Sequence, residues 1–362
     1  MTEKEIWDKA YKRIFELYGD MPDLSIVSRF YSEKQAFMQY EVGKYFYDLA
    51  NFRQKAEATD ERLIVKNAVA SCLVAYLLGT IDENPLPAHY YCPKCKTVEW
   101  MEGKCAFDIC DRTCVCGERM KPDGFDTPFE TYLSYAKKLK TADTVPENYR
   151  QVFDSIFSHF QKSLLDTVAI CKQLEKETGV CMDSINLNDL EVKHRLLTGD
   201  FEKLAGAGDK KVIKRMIALT HPQNYNELLK LIGLAHGTCT WRHNAEHLLA
   251  DGVCSLSDIP ATRDDVFMTI RDVMRDCAFH DMGFAIDAAN KARRGYYLEH
   301  GMDDYTNQTL SMLGLDDWFG SFIRTTHYMS TKALAVLELK HSIILNWYQV
   351  YYPREYQRIM AE

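Results

Sequence analysis

The stretch Asn84–Phe129 reads NPLPAHYYCPKCKTVEWMEGKCAFDICDRTCVCGERMKPDGFDTPF and contains six of the chain's 12 cysteines. Cys92-Pro-Lys-Cys95 presents two sulfurs across a tight turn. Cys114-Val-Cys116 presents two more, and the glycine that follows suits the positive φ of a metal-binding knuckle. Four thiolates that converge from two knuckles suit tetrahedral Zn²⁺. The pattern therefore predicts a structural zinc site, because four protein sulfurs leave no position for water or substrate.

The second knuckle of this cysteine module is one residue shorter than the usual CxxC spacing. That departure leaves Cys110 or Cys105 as substitute ligands, and disulfides or free thiols as alternatives to a metal. Cysteines that occur singly in apparent helices, Cys72, Cys171 and Cys277, indicate buried free thiols. Such thiols are typical of a reducing compartment, so we expect a cytoplasmic protein.

The composition is that of a folded, acidic protein. With 362 residues, 46% of them hydrophobic and 12% aromatic, the chain can bury a sizeable core. The net charge of −8 counts against a dedicated nucleic-acid binder, which usually spreads Lys and Arg over its contact face. The charged N-terminus lacks an apolar signal core, and the near-apolar run 68–79 is too short to cross a bilayer. We expect no membrane segment.

Helical periodicity dominates the rest of the chain. Thr2 and Glu5 form a capping-box pattern for a helix that ends at Gly19. Strands are plausible only in the cysteine module and around residues 30–50. The other predicted helices are 61–78, 131–140, 150–178, 189–198, 209–218, 224–234, 241–250, 263–278, 283–294, 303–313 and 331–352, with a loop at 141–147. The fold class is therefore mainly α with a small β, zinc-ribbon-like module.

Five further side chains could bind a second metal. His243 and His247 are spaced to share one face of a helix, His236 is near them in sequence, and His280 adjoins Asp281. Together they could serve a metal-dependent phosphohydrolase. The alternative is that these histidines make ordinary hydrogen bonds, since no second acidic ligand falls at a recognisable spacing.

Basic residues in two places could contact phosphate. Residues 205–212, AGAGDKKV, could cradle a phosphate with Lys210 and Lys211, although the spacing is not that of a P-loop. A flexible turn capped by Asp209 is the alternative. Arg293 and Arg294 belong to a second basic set, which could equally be solvated helix surface. That set also includes Lys214, Arg215, Arg263, Arg271, Arg275 and Lys291.

Residues for catalysis are not apparent. Asp108, Asp111, Asp123 and Asp126 lie in the cysteine module, but no Asp-x-Asp pair occurs anywhere in the chain. Two-metal phosphoryl transfer needs two or three carboxylates that converge on Mg²⁺. We also find no Ser-His-Asp or Cys-His nucleophile pattern and no GxGxxG. We therefore predict no catalytic residue.

The cysteine stretch and the DGFDTPFETYL that ends it resemble the zinc-bearing palm segment of the replicative C-family DNA polymerase of the PolC type. Residues 224–249, the start at Arg263 and residues 329–356 resemble its fingers, in the same order. The resemblance implies a palm remnant followed by a helical fingers-like domain. We divide the chain into 1–83 (palm remnant), 84–130 (zinc module), 131–184 (linker and thumb-like helix) and 185–362 (fingers-like domain).

Seven residues are candidate contacts to nucleic acid or nucleotide: Lys332, which matches a lysine of the family, His236 and Thr238 in the family-like segment 224–249, and Arg293, Arg294, Lys210 and Lys211 from the two basic sets. Three departures from the family are evident. The family's Gly/Ser-rich phosphate loop reads IVKNAVASC at 64–72, without glycine, and we expect its amides to be bound within a helix. The Asp-x-Asp strand is missing, and Leu334 stands where the family has histidine.

These departures predict a truncated, catalytically inactive polymerase relative that acts as a scaffold or polymerase mimic. We expect a phage or mobile-element origin and host replication proteins or DNA as partners, but no small-molecule substrate. One alternative is a DNA- or nucleotide-binding module that retains the fingers surface. The other is the phosphohydrolase built on the histidines.

Overall fold

The computed structural model describes residues 2–40, 42–57, 68–133, 162–206, 210–315 and 317–361. The chain divides into two compact units, Met1–Phe160 and Gln161–Glu362. Helices make up most of the described residues of the second unit, and the first combines helices with one four-stranded sheet. The predicted fold class, mainly α with a small β module, is confirmed. The division into four functional segments remains a prediction.

In the first unit, the helices are α1 (Glu3–Tyr18), α2 (Leu24–Met38), α3 (Gly43–Glu57) and α4 (Leu73–Leu77), and the strands are β1 (His89–Tyr91), β2 (Val98–Trp100), β3 (Arg112–Thr113) and β4 (Arg119–Asp123). In the second unit, the helices are α5 (Lys162–Thr178), α6 (Leu190–Thr198), α7 (Lys210–Thr220), α8 (Tyr225–His236), α9 (Glu246–Ala250), α10 (Arg263–Arg275), α11 (Met282–Arg293), α12 (Tyr296–His300), α13 (Asp304–Met312), α14 (Trp318–Thr325), α15 (Lys332–Tyr351) and α16 (Pro353–Ala361).

Helix α1 begins and ends where the sequence predicts. The Glu5 amide donates to the Thr2 hydroxyl at 3.3 Å, and the Thr2 amide donates to the Glu5 carboxylate at 2.7 Å, which completes the capping box. The helix ends at Gly19, whose φ of 79° suits glycine. Its buried face includes Ile6 and Ile14, spaced for a helix that packs on a core.

The predicted helix 61–78 is interrupted within its described part, and only Leu73–Leu77 is α-helical there. Residues 68–71 form a 3₁₀ turn, Cys72 is extended, and a new helix, α4, begins at Leu73. The break is stabilised from a distance, because the buried Glu33 carboxylate accepts the Leu73 and Val74 amides at 2.8 and 2.9 Å. Residues 61–67 lie outside the described residues, as does most of the predicted helix 131–140 and all of loop 141–147.

The sheet has strand order β2-β1-β4-β3 and is antiparallel throughout. Asn84 attaches it to the helices, since its side-chain amide donates to the Tyr18 hydroxyl at 2.9 Å and to Asp123 at 2.8 Å. Gly124 follows β4 where the chain touches Pro87 so closely that an added Cβ would lie 2.2 Å from the Pro87 carbonyl oxygen. Only glycine fits there.

Helix α15 is the core of the second unit. It begins at the Thr331 cap, whose hydroxyl accepts the Leu334 amide at 3.3 Å, and it packs against α5, α6, α8 and α16. Its later half joins one hydrophobic cluster with the buried Cys171, Leu174 and Tyr356. Because α15 is contacted on several sides, its apolar residues are distributed all round it rather than along one stripe.

Most helices predicted in this unit are confirmed within a few residues, and residue 209 lies outside the description. The predicted helix 241–250 is wrong in its first half: Trp241–Ala245 is irregular, and His243 has φ of 59°. The long predicted helix 150–178 is described from residue 162 to its end before Gly179. Helices α12, α14 and α16 were not predicted, and residues 30–50, where strands were considered, lie mostly in helices α2 and α3. No helix in the described ranges is long and apolar enough to cross a membrane.

Candidate metal centre and cationic surface

The structure brings four sulfurs together in the cysteine module. The Sγ atoms of Cys92, Cys95, Cys114 and Cys116 all lie within 4.8 Å of one another. Cys92 Sγ is 3.7 Å from Cys116 Sγ, and Cys114 Sγ is 3.9 Å from Cys95 Sγ. These distances exceed a disulfide bond and suit the edges of a tetrahedron around one ion. The arrangement could hold a single metal ion through four thiolates.

Each knuckle is a tight turn at the end of a strand. Cys92 follows β1, its carbonyl accepts the Lys96 amide at 2.8 Å, and its sulfur accepts the Cys95 amide at 3.3 Å. In the second knuckle the Gly117 amide donates to the Cys114 carbonyl at 2.9 Å. Gly117 has φ of 84°, which lets the shorter CxC spacing turn both sulfurs inward.

The two proposed substitute ligands lie outside the sulfur cluster. Cys105 is buried and its thiol donates to Asp108 at 3.4 Å. Burial raises the pKa of the Cys105 thiol, and the adjacent Asp108 charge raises it further, so the group stays protonated. Cys110 is exposed and does not join the cluster. The geometry thus favours Cys116 over either substitute.

Acidic residues of the module are bound by separate neighbouring side chains. Asp111 accepts from Arg119 at 2.6 Å, and Asp123 accepts from Asn84 and from the Tyr76 hydroxyl. Within the described ranges, the four cysteines are the only group of three or more His, Cys, Asp or Glu residues close enough to share one ion. The module's aspartates therefore do not converge as a two-metal site requires.

A second feature is the cationic corner, which we define as Lys230, Arg263, Arg293 and Lys332. Arg263 is 1% exposed, and its guanidinium contacts Asp264 at 3.2 Å. Asp264 also accepts the Lys332 amide at 2.7 Å, which ties the start of α10 to the start of α15. The Lys230 ammonium donates to the Ile259 carbonyl at 2.7 Å and lies 4.0 Å from Asp265.

Neighbouring positive charges in this corner contribute to lowering the pKa of Lys230 and of Arg263. Burial lowers the pKa of Lys230, and the positive charge of Lys332 adds to that effect against the attraction of Asp265. Burial likewise lowers the pKa of Arg263, with a contribution of the same sign from Arg293. Four cations and three carboxylates, Asp258, Asp264 and Asp265, act on one another here, which leaves a local excess of one positive charge in an acidic protein. Such a site suits an anion.

Two of the sequence-predicted contacts, Thr238 and Arg293, both contact Tyr328. Thr238 pairs with Tyr328 through the Thr238 amide and the Tyr328 carbonyl at 2.9 Å. The Arg293 guanidinium lies over the Tyr328 ring, 5.9 Å from its centroid, and the Arg293 carbonyl accepts the Met329 amide at 3.1 Å. Arg294 follows as an exposed residue. The side chain of His236 is 4% exposed, and its Nε2 lies 2.5 Å from Glu338 Oε2.

Lys210 and Lys211 lie elsewhere, at the exposed start of α7, where the Lys210 ammonium donates to the Glu202 carbonyl at 3.4 Å. Gly206 has φ of 68°, and the space for its Cβ is filled by the Glu338 carboxylate. A phosphate is disfavoured beside that anion, and residues 207–209 of the predicted cradle lie outside the described residues.

The histidines do not form a metal site in the described part of the chain. His243 and His247 are neighbours, with ring centroids 5.6 Å apart, although not on a regular helix. His236 is instead paired with Glu338. Asp281 caps α11, accepting the Phe284 amide at 3.0 Å, and His280 beside it is exposed. Sequence reasoning overlooked Glu338 and Lys230, whose only signal was a charged residue within an apolar helix face.

No protein-family profile matches the chain. Among curated proteins, it is similar to the "DNA polymerase III PolC-type" of Caldanaerobacter subterraneus, at 24% identity over 481 residues, with 98% of this chain and 34% of that protein covered. The proteins of the same description from Streptococcus agalactiae and Thermotoga petrophila are each 22% identical, with 97% and 95% of this chain and 32% and 34% of theirs covered. The resemblance to PolC-type DNA polymerase III is confirmed, and the chain spans about a third of these relatives' length.

The alignment also contains large internal gaps. It extends over 481 residues with the Caldanaerobacter relative, whereas this whole chain has 362 residues. The relative therefore carries many residues, within the aligned region, that have no counterpart here.

Proposed function

We propose that this protein is a catalytically inactive relative of PolC-type DNA polymerase III, which acts by binding the replication machinery as a scaffold or polymerase mimic. One observation carries the proposal: nearly the whole chain aligns with the polymerase, yet its sequence contains no Asp-x-Asp pair. In-line nucleotidyl transfer needs carboxylates that hold two Mg²⁺ ions, and it loses its main electrostatic stabilisation without them.

The internal gaps of the alignment support this reading. The relative has residues within the aligned region that this chain lacks, and the resemblance implies that the family's catalytic aspartates follow the zinc segment. The aspartates of the cysteine module are bound to Arg119, Asn84 and Tyr76 rather than directed at a common point.

The segment that corresponds to the family's phosphate loop supports it further. We expected the amides there to be bound within a helix, and that reason is wrong, because the chain breaks at Cys72. The amides of Leu73 and Val74 are nevertheless occupied, since the buried Glu33 carboxylate accepts both. A triphosphate would have to displace a carboxylate that Arg29 also binds at 2.7 Å.

The four-cysteine site of the same protein would hold Zn²⁺. Its donor set of four thiolates suits zinc, and the sulfur separations fit one ion. Such a centre is structural, because it stabilises the β1–β4 sheet and leaves no coordination position for a reactant. Elemental analysis should find one zinc per chain.

Primer extension tests the loss of catalysis. The purified chain is incubated with primer–template DNA, Mg²⁺ and all four dNTPs, beside the Lys332→Ala variant. We expect no extension by either protein. Primer extension by the wild type but not by the variant would refute inactivity. Equal extension by both proteins would indicate a contaminating polymerase.

The proposed partners are host replication proteins, and the pattern of loss fits a phage or mobile element. A streptococcal PolC-type polymerase serves as the probe. If this chain is a mimic, it should co-elute with components of the host replicase or reduce primer extension by that enzyme in proportion to its concentration. Neither co-elution nor inhibition at concentrations well above those of the host enzyme would contradict the mimic.

A second candidate function, DNA or nucleotide binding through the cationic corner, is favoured by the excess of positive charge there. Lys332→Ala or Arg293→Ala should weaken binding to primer–template DNA and lower the slope of log affinity against log salt by about 1. Lys121→Ala, which removes an exposed charge from β4 in the other unit, is the control. Unchanged salt slopes in both corner variants would exclude this function. The phosphohydrolase alternative lacks a comparable observation.

A further inference from the structure

The four clustered sulfurs of the cysteine module differ in their access to solvent. Cys92 is completely buried and Cys114 is 9% exposed, whereas Cys95 is exposed and Cys116 is partly exposed. Val115, between the two cysteines of the second knuckle, is fully exposed, so solvent reaches this turn from outside. Each knuckle therefore presents one accessible sulfur and one protected sulfur.

Two close sulfur contacts join opposite knuckles. Cys92 Sγ lies 3.7 Å from Cys116 Sγ, and Cys95 Sγ lies 3.9 Å from Cys114 Sγ. In each contact an accessible sulfur of one knuckle faces a buried sulfur of the other. Since a disulfide bond is about 2.0 Å long, the two atoms of each pair need to approach one another by less than about 2 Å.

We infer that the cysteine module is a redox-sensitive switch, in which hydrogen peroxide converts the four thiolates into the disulfides Cys92–Cys116 and Cys95–Cys114. Metals bind cysteine as the thiolate, so disulfide formation would release a bound Zn²⁺ ion. The pairing of the sulfurs rests on their geometry alone, whereas the release of zinc rests on the proposed metal centre.

The chemistry requires an accessible thiolate that reacts first and a nearby sulfur that completes the bond. The Cys116 thiolate attacks one peroxide oxygen, the O–O bond breaks, and hydroxide leaves, which forms a sulfenic acid. The Cys92 thiolate then attacks the sulfenic sulfur and displaces a second hydroxide. Peroxide gains the two electrons that the sulfurs lose, and two solvent protons convert the hydroxides to water. Cys95 and Cys114 react in the same way with a second peroxide.

The sheet holds both pairs in place for this reaction. Cys92 directly follows β1, and the second knuckle connects β3 to β4. Strands β1 and β4 are paired, as are β3 and β4, so the two knuckles lie side by side at one end of the sheet. Both disulfides would therefore connect segments that the strand pairing already keeps together.

Treatment of the full chain with a small excess of hydrogen peroxide tests the switch. Zinc content is measured beforehand, and zinc release is followed with a chromogenic chelator. We expect complete loss of the single zinc ion as the four module thiols disappear. Dithiothreitol with added zinc should restore both, because disulfides are reduced by thiols.

Peptide mapping by mass spectrometry identifies the pairing. Trypsin cleaves after Lys94, which separates Cys92 from Cys95, and fragmentation of the linked peptides separates the two cysteines of the second knuckle. The disulfides Cys92–Cys116 and Cys95–Cys114 support the inference. Any other pairing of these sulfurs, or zinc loss without a disulfide among them, would overturn it.

Two variants distinguish the module from the chain's other thiols. Cys110→Ser removes an exposed cysteine outside the sulfur cluster and should release zinc as fast as the wild type, with the same pairing. Cys116→Ser removes one accessible sulfur, so Cys95–Cys114 should still form while Cys92 stays a free thiol. Slower release from the first variant, or a disulfide at Cys92 in the second, would contradict the inference. A zinc-free wild type that forms both disulfides would refute the metal centre and support the sulfur pairing.

Discussion

The buried contact between Arg29 and Glu33 leads to the sharpest stability prediction. Glu33 is fully buried in α2, and its carboxylate accepts Arg29 Nε at 2.7 Å and the amides of Leu73 and Val74. Arg29 donates in addition to the carbonyls of Ser71 and Thr127, each at 2.9 Å. One ion pair therefore connects α2, the start of α4 and the end of the cysteine module.

Glu33→Ala should destabilise the first unit by about 3–5 kcal/mol. The substitution leaves a guanidinium that is only 17% exposed without its carboxylate, and removal of one partner from a largely buried ion pair costs about that much. Two amides at the start of α4 also lose their acceptor, and the short helix supplies no other cap. For a unit of this size, the loss corresponds to a fall in melting temperature of about 10 °C.

Urea unfolding followed by circular dichroism measures the free energy, and hydrogen exchange locates the effect. Peptides that contain Leu73 and Val74 should lose protection, because their amides no longer donate to a buried acceptor. Glu16→Gln is the matched control, since it removes the acid of the exposed Arg13–Glu16 pair on α1 and should cause no measurable change. Equal stability of Glu33→Ala and wild type, with unchanged exchange at both amides, would refute the reasoning.

Three further predictions concern other parts of the chain. Gly206→Ala should cost about 1–3 kcal/mol more than Gly314→Ala in urea unfolding, since both glycines have φ near 69° but only the first would place a Cβ against a buried glutamate of α15. Lys230→Met should remove a pH dependence of the free energy of unfolding. Burial lowers the pKa of Lys230 in the folded state, so at high pH the unfolded chain binds one more proton than the folded chain. The stability of the wild type should therefore rise relative to that of the variant as the pH approaches 10.5. Cys116→Ser should lower zinc content and stability, whereas Cys110→Ser should retain one zinc per chain by elemental analysis. Equal values within any of these pairs would contradict the corresponding prediction.

Features determined by neighbouring residues were predictable from the sequence. The capping box at Thr2, the end of α1 at Gly19 and the end of α5 before Gly179 each depend on a few adjacent side chains and one glycine. The two knuckles belong to the same class, because each is a turn of a few residues. Their convergence required more, since it depends on the pairing of β1 with β4 and of β4 with β3.

Features determined by distant residues were not predictable. The break at Cys72 depends on Glu33, which lies about 40 positions earlier in the chain. The irregular turn at His243 accompanies Asn244, whose side-chain amide donates to the carbonyls of Cys239 and Phe322 at 2.8 and 3.1 Å. Periodicity alone predicts a continuous helix in both places. Tertiary hydrogen bonds override it, as the buried carboxylate and the buried amide must find partners.

The two proposed functions can be separated because their decisive residues lie in different units. Glu33→Ala removes the carboxylate that occupies the Leu73 and Val74 amides, and it leaves Arg29 there as a cation. If that carboxylate alone prevented nucleotide binding, the variant would gain affinity for a triphosphate without any change at the cationic corner. Under the proposed loss of catalysis we expect that it would still not extend a primer, because the sequence has no Asp-x-Asp pair to hold the metal ions. If nucleotide affinity instead falls in the Lys332 and Arg293 variants, nucleotide binding belongs to the cationic corner. In that case the chain would bind nucleotide without the proposed ability to catalyse its transfer having been kept.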